Sequence, residues 1–460
     1  MRNSSIQEEC GVFGIYAKSD IDVPKMTYYA LYALQHRGQE SCGIAINDDN
    51  RITNRKGMGL VSEVFDENTL ASMKGNIAIG HVRYSSQGDS AKESTQPLAI
   101  NHFKGTLTVA FNGKIANSAK LRYDLERVGS IFHTTNDSEV IALLVARARL
   151  ETKSIEEAIL KVIPMLQGSF SIVFMSPRKL IAVRDPLGIR PLCIGKIEQD
   201  AIIFASESCA LTAIGAQFER DIKPGEMVVV TVDGVKCDET YCSGKSGLCI
   251  FEHIYFARPD SIIDGQSVYN ARLAAGALLS QRHPVDADLV IGVPDSGVTA
   301  AIGYARASGI PYGEGFIKNR YIGRTFIQPK QSMREVSVSI KLGVIKANVD
   351  GKRVIMVDDS IVRGTTSKNI IKALKSAGAK EVHVRISSPE FLYPCYFGTD
   401  IPSRNELASC KFSVSALAEN IGADSLGFLT VDEVCDIAKD SKLNFCTGCF
   451  SGKYPVEIDK

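Results

Sequence analysis

The sequence predicts two consecutive folds: an α+β sandwich of two sheets with covering helices over roughly the first 235 residues, then a doubly wound α/β domain. Three observations carry this reading. The first is a dense series of short β-type runs separated by turn residues: GVFGIYA, GIAIND, GNIAIGHV, GTLTVAFNG, FSIVFMSP, LIAVRD, AIIFASES and GEMVVVTVDG. The second is that two helix-like stretches, around 24–35 and 137–149, interrupt them, so strands dominate and helices cover. The third is a change of rhythm from about residue 268. There 268–282 reads as a helix, DLVIGVP as a strand, SGVTAAIGYARASG as a helix, KRVIMVDDS as a strand, TTSKNIIKALKSAGA as a helix and EVHVRISS as a strand. Such alternation is the pattern of a parallel sheet wound on both faces. The boundary is expected near 236–262, around the polar stretch CDETYCSGKSG.

At 460 residues the chain is too long for one typical domain. Its 53 basic and 52 acidic side chains nearly cancel, so no global field recruits nucleic acid or a membrane surface, and neither is expected as a partner. No run approaches the roughly 18 apolar residues of a membrane span. The leading MRNSSIQEE lacks the apolar segment of a secretory signal. Twelve cysteines in such a chain favour thiols, metal ligands or catalysis over disulfides, and a cytoplasmic location.

The first strand opens on Cys10, behind a short polar leader. A cysteine beside a strand is ordinarily a small buried hydrophobe. If residues 1–9 are removed, however, Cys10 carries a free α-amine with a pKa near 8, able to act as base for its own thiol. Other polar groups suit that second reading. Arg83 in GHVRYSS can clamp a carboxylate in bidentate fashion. Asn112 and Gly113 in FNGKIAN offer a side-chain amide and a backbone N–H for an oxyanion hole. Asp137 in TNDSEV suits an α-ammonium, although helix capping is an equally plain role for it. Together they fit a free amino acid such as glutamine.

In the second half, VIMVDDSIVRGTTS (354–367) places Asp358 and Asp359 at the carboxyl end of a buried strand, with Gly364, Thr365, Thr366 and Ser367 before a helix. Ligands of open α/β sheets bind at that end. The Gly/Thr/Ser turn offers N–H groups, hydroxyls and the positive dipole end to a phosphate, while the acids suit ribose hydroxyls or Mg²⁺. In VIGVPDSG, Asp295 and Ser296 could meet pyrophosphate or Mg²⁺. KNRYIGRTFIQP (318–329) carries Lys318, Arg320 and Arg324 and reads as a basic lid over pyrophosphate. The CTGC at 446–449, with Cys249 and Cys395, could assemble four thiolates, which suit zinc or an iron–sulfur cluster. Cys435 and Cys410 are rivals for those positions, and the other cysteines (42, 193, 209, 237, 242) read as thiols without chemistry.

These motifs resemble known families. The 354–367 stretch is similar to the phosphoribosyl pyrophosphate signature of type I phosphoribosyltransferases, which implies that the acids face ribose and Mg²⁺ and that 362–367, including Arg363, cradles the 5-phosphate. CGVFGIY, QHRGQESCGIA, GHVRYSS, FNGKIAN, TNDSEV and RDPLGIRPL resemble the class II glutamine amidotransferase domain of the N-terminal nucleophile superfamily, an αββα sandwich. In order, over nearly all of 10–455, the chain resembles the glutamine phosphoribosylpyrophosphate amidotransferase family, which makes 5-phosphoribosylamine at the committed step of purine synthesis. The resemblance implies a propeptide at 1–9, an amidotransferase domain at 10–235, and a phosphoribosyltransferase domain at 236–460 with a cluster-binding tail. It implies Cys10 as nucleophile, Arg83 and Asp137 on glutamine, and Asn112 with Gly113 as oxyanion hole. Lys318, Arg320 and Arg324 fall to the phosphoribosyl pyrophosphate, and Ser296, Asp358 and Asp359 to Mg²⁺. Where some relatives have Pro-Thr after Arg-Tyr, this chain has Ser85-Ser86, which leaves hydroxyl contacts to the glutamine carboxylate open. FCTGCFSGKYP and the leader resemble the branch with a [4Fe–4S] cluster, implying Cys249, Cys395, Cys446 and Cys449 as its ligands. A homotetramer and feedback inhibition by purine nucleotides are also implied.

Three other readings compete, one of them a salvage phosphoribosyltransferase with a decayed first domain, which reaction of Cys10 with a glutamine analogue would exclude. Glucosamine-6-phosphate synthase shares the first domain, but 354–367 argues against it. A ligand-sensing DNA regulator would need a basic or helix-turn-helix module, and the first 235 residues are neither.

Overall fold

The computed structural model describes residues 10–84, 92–198, 200–319, 342–399, 401 and 403–457. The leader 1–9, Ser85-Ser86, Arg320 and Arg324 lie outside the described residues.

The first half is four layers deep. One sheet has seven antiparallel strands, in the order Gln217–Asp221, Cys193–Ile197, Ala201–Ala205, Gly11–Ala17, Ile77–Arg83, Ser41–Asp48, Arg51–Met58. The other has six, in the order Gly234–Asp238, Met227–Thr231, Lys179–Arg184, Gly168–Ser176, Gly105–Ile115, Leu98–His102. Strand Gly11–Ala17 explains why these runs are so continuously apolar. Phe13, Ile15 and Ala17 face the helix Val23–Ala33, whereas Val12 and Tyr16 face the second sheet's Val173 and Leu180. A strand covered on both faces has no side left for polar residues. Helices Asp137–Glu151 and Ile155–Val162 cover the outer face of the second sheet. This is the expected αββα sandwich. The expectation of two helical stretches was too few: Ser118–Glu126, Ile155–Val162 and Ser208–Ala213 are also helical. The strand Gly234–Asp238 straddles the boundary expected at 235.

The second half is doubly wound. Its parallel sheet runs Leu289–Gly292, Arg353–Asp358, Glu381–Ile386, Ser425–Phe428. Helices Val268–Arg282, Gly297–Ser308 and Thr365–Ser376 match the expected segments.

Buried arginines fasten the halves together. Arg184 pairs with Asp264 through two hydrogen bonds of 2.9 and 2.8 Å. Arg37 does the same with Glu252, at 2.9 and 2.8 Å. Charges so deep in the molecule are tolerated because each finds its counterpart, and removing one partner would strand the other.

His253, beside Glu252, is wholly buried, and neither ring nitrogen has a hydrogen-bond partner. Burial pushes its pKa down to about 4, against the raising effect of Glu252 and Asp264. The neutral ring is therefore the folded form. The unfolded chain takes up the proton first, so stability present above pH 6.5 is lost as pH falls toward 4, by on the order of 3 kcal/mol. The wild-type thermal midpoint should therefore fall further between pH 6.5 and 5 than that of His253→Phe. Parallel curves would remove His253 from the acid response.

Candidate active sites

The residues expected to act on glutamine gather where the two sheets of the sandwich meet. Cys10 leads directly into the central strand Gly11–Ala17. It is half-buried, and its thiol donates to the Tyr84 carbonyl at 3.6 Å. The register that sets Gly11 opposite Val82 brings Arg83 alongside Cys10. Arg83 is buried, with Nη2 3.5 Å from Asn136 Oδ1. From the second sheet comes strand Gly105–Ile115, tied to the first by His81 Nε2, 3.0 Å from the Phe111 carbonyl. The next residue, Asn112, is 1 % exposed and its side-chain Nδ2 has no partner. A buried amide donor left without an acceptor is costly unless a ligand supplies one. Gly113 follows at φ +144°, where a Cβ would lie 2.0 Å from the Ser169 carbonyl, so only glycine brings a backbone N–H to this spot.

Asp137 corrects the simple capping role. Asn136 occupies the N-cap position, and Asp137 is the first helical residue. Its buried carboxylate accepts from the Ile115 N–H at 2.9 Å and lies 3.3 Å from Lys114 Nζ. It therefore stands beside the Asn112–Gly113 strand.

Sequence reasoning passed over Arg37. Its Nε donates to the Cys10 carbonyl at 3.1 Å, while its Nη1 donates to Glu207 at 2.6 Å. Burial pushes the Glu207 carboxyl up, but the His36 and Arg37 charges outweigh it and hold the group far below its usual range. An HRGQE run following an apolar helix was the available signal, since so many charges there need partners.

The second site is a pocket of about 180 Å³ at the carboxyl end of the parallel strands, lined in part by Ser296, Asp358, Asp359, Gly364, Thr366 and Ser367. Gly364, at φ +80°, is the N-cap of helix Thr365–Ser376, so the turn delivers its N–H groups into the pocket with Thr365 as first helical residue. Asp359 accepts from the Ser296 and Ser360 hydroxyls. Burial pushes both acids up, and the Asp359 charge adds to the rise at Asp358. Two adjacent buried carboxylates of this kind suit a divalent cation, which would relieve both effects. Three expected contacts are arranged differently. Asp295 pairs with Lys318 at the exposed rim, and Arg363 donates to Glu406 at 2.9 Å. Neither Lys318 nor Arg363 lines the unliganded pocket.

Cys249, Cys395, Cys446 and Cys449 line one small cavity with Arg190, Phe251 and Tyr454. Parallel pairing of Cys249 with Cys446 and bonds from the Leu392 and Tyr393 N–H groups to the Cys449 carbonyl bring the segments together. Burial pushes the Cys446 thiol up to about 12, and burial, joined by the three neighbouring sulfurs, raises Cys449 well above the usual thiol value. Such crowded thiols fit a cationic centre that takes them as thiolates. Cys410 is exposed and bonds to the Leu392 carbonyl, and Cys435 does not line the cavity. Among the described residues, no group of three or more His, Cys, Asp or Glu side chains is placed to hold a single metal ion, and no helix is long and apolar enough to cross a membrane.

Fold and sites define a glutamine-dependent transferase with two catalytic domains. Comparison with known proteins agrees: residues 81–213 match a glutamine amidotransferase domain and residues 267–387 a phosphoribosyl transferase domain. The chain is 47% identical to an amidophosphoribosyltransferase of Archaeoglobus fulgidus, covering 98% of each. With the amidophosphoribosyltransferase of Bacillus subtilis it shares 46% identity, over 98% of this chain and 95% of that one. Among solved structures, the B. subtilis glutamine phosphoribosylpyrophosphate amidotransferase complexed with ADP and GMP superposes with a TM-score of 0.91 at 45% identity, covering 98% of both chains. The chain belongs to the amidophosphoribosyltransferase family.

Proposed function

We propose that the chain hydrolyses glutamine at Cys10 and passes the ammonia internally to phosphoribosyl pyrophosphate at the second site, yielding 5-phosphoribosylamine and pyrophosphate. Removal of Met1–Glu9 frees the Cys10 α-amine as the base that takes the thiol proton. Arg83 holds the substrate carboxylate and Asp137 its ammonium. The thiolate attacks the amide carbon, the oxyanion settles on Asn112 Nδ2 and the Gly113 N–H, ammonia leaves, and water releases glutamate from the thioester. At the second site Gly364, Thr365, Thr366 and Ser367 bind the 5-phosphate, joined by Arg363 once it leaves Glu406. Binding of the pyrophosphate falls to the basic side chains Lys318, Arg320 and Arg324. Mg²⁺ held by Ser296, Asp358 and Asp359 would neutralise the leaving group. The reaction belongs to purine biosynthesis in the cytoplasm. Purine nucleotides inhibit it, in keeping with the B. subtilis enzyme's complex with ADP and GMP, and the working form is a homotetramer.

The observation that carries internal transfer is a contact between the halves. The Phe397 carbonyl accepts from Ser169 Oγ at 2.7 Å, and Gly398 lies next to Gly113, whose carbonyl carbon a Cβ at Gly398 would meet at an ordinary contact distance of 3.5 Å. The second domain therefore touches the oxyanion strand itself. With a scavenger of free ammonia in the assay, phosphoribosylamine formed per glutamate should stay near one. A yield that collapses in the scavenger would show release to solvent.

Cys249, Cys395, Cys446 and Cys449 hold a structural [4Fe–4S] cluster, which supplies no chemistry to the reaction and ties the C-terminal tail to the core. Protein purified without oxygen should contain about four irons and four sulfides per chain, with an intact mass beginning at Cys10. Zinc in place of iron would keep the ligands and overturn the cluster. A mass retaining Met1 would overturn the processed nucleophile.

A further inference from the structure

The oxyanion strand has an incomplete edge. Leu98–His102 pairs with Gly105–Ile115 only as far as Leu98 opposite Val109. Beyond that point every second residue turns its N–H and C=O toward an edge where no strand lies among the described residues. At Phe111 a side chain substitutes for the missing strand. The Phe111 N–H donates to Gln96 Oε1 at 2.9 Å, and Gln96 Nε2 donates back to the Phe111 carbonyl at 3.4 Å. His81 Nε2 reaches the same carbonyl at 3.0 Å. At Ile115 the N–H donates to Asp137. Gly113 lies midway between them, so the two-residue alternation turns its N–H to the same edge, in the gap between the Gln96 amide and the Asp137 carboxylate.

We infer that Gln96 is a positioning residue for glutamine hydrolysis: its amide completes the strand edge at Phe111 and thereby aims Asn112 Nδ2 and the Gly113 N–H at one point. This rests on the reading that those two groups hold the oxyanion. Gln96 is 4 % exposed, and a primary amide, neutral at every working pH, carries both the acceptor for a backbone N–H and the donor for a backbone C=O. The His81 ring has one nitrogen on the carbonyl and cannot also satisfy the Phe111 N–H. Without Gln96 the Phe111 N–H loses its acceptor and the Phe111 carbonyl keeps only His81 at this edge, and an oxyanion hole tolerates little displacement.

Gln96→Leu should lower kcat for glutamine hydrolysis by about ten- to a hundred-fold, with KM changed less than about twofold and the rate of Cys10 alkylation by iodoacetamide unchanged. Gln96→Glu supplies a second test within a nearly isosteric side chain. A neutral carboxyl offers the same donor and acceptor, whereas a carboxylate cannot donate to the Phe111 carbonyl. Its kcat should approach wild type at low pH and fall away as pH rises, a limb absent from the wild-type profile. An unchanged kcat in Gln96→Leu, a rise in KM alone, or a Gln96→Glu profile parallel to wild type would each overturn the positioning role. Asn112→Ala, run alongside, separates the two levels. Wild-type kcat there would remove the oxyanion reading itself. A crippled Asn112→Ala beside an unimpaired Gln96→Leu would remove the role of Gln96 alone.

Discussion

Replacing Cys10 by alanine is expected to cut glutamine hydrolysis by on the order of 10⁴-fold or more, while phosphoribosylamine synthesis from added ammonium salt continues. The size follows from the loss of a covalent route. Without the sulfur there is no thioester, and the oxyanion hole faces only water. Survival of the ammonia reaction follows from the architecture, because the pocket of Asp358 and Asp359 lies on a separate sheet with its own helix N-terminus. Glutamate and pyrophosphate release, measured side by side, give the answer. Hydrolysis within tenfold of wild type would remove Cys10 as nucleophile. Loss of both activities would mean that the cysteine supports the fold.

Asp359→Asn is expected to have the converse effect. The amide keeps the shape and can still accept from the Ser296 hydroxyl, but one negative charge leaves the pocket. If that charge helps to hold the cation facing the pyrophosphate, several kcal/mol of transition-state stabilisation go with it, and synthesis should fall by about 10³-fold with ammonia as donor. Alkylation of Cys10 should proceed as in the wild type. The decisive measurement is pyrophosphate release at saturating Mg²⁺. A rate within threefold of wild type would take Asp359 out of the metal site and leave it as a hydroxyl-bonded structural acid.

Most of the secondary structure in both halves was legible along the chain. Strands buried on both faces, such as Gly11–Ala17 and Arg353–Asp358, announce themselves as apolar runs. Several strands that escaped notice are edge or polar ones, and Cys193–Ile197, though an inner strand, is only five residues long. Arg51–Met58 lies at the rim of its sheet with a largely wet surface, and its RITNRKGM carries almost no alternation. Short helices such as Ser208–Ala213 span too few turns for a period to show. Among the candidate site residues, Asp137 was read as either cap or ligand. Its bond to the Ile115 N–H is a third role that no local rule contains.

By itself the sequence determined the order of elements, the two-domain plan and the chemical vocabulary of each site, because spacing, burial preference and turn chemistry act between near neighbours. The tertiary structure decided which distant residues meet. It brought Cys249 and Cys395 to Cys446 and Cys449, set Arg37 between the Cys10 carbonyl and Glu252, and slid the Gln96 amide into the vacant edge beside Phe111. The arginine and glutamine pairings satisfy buried polar groups, and burial exists only once whole sheets have closed on one another. No short window of residues holds that information, since the desolvation that selects the partner is created by the completed fold.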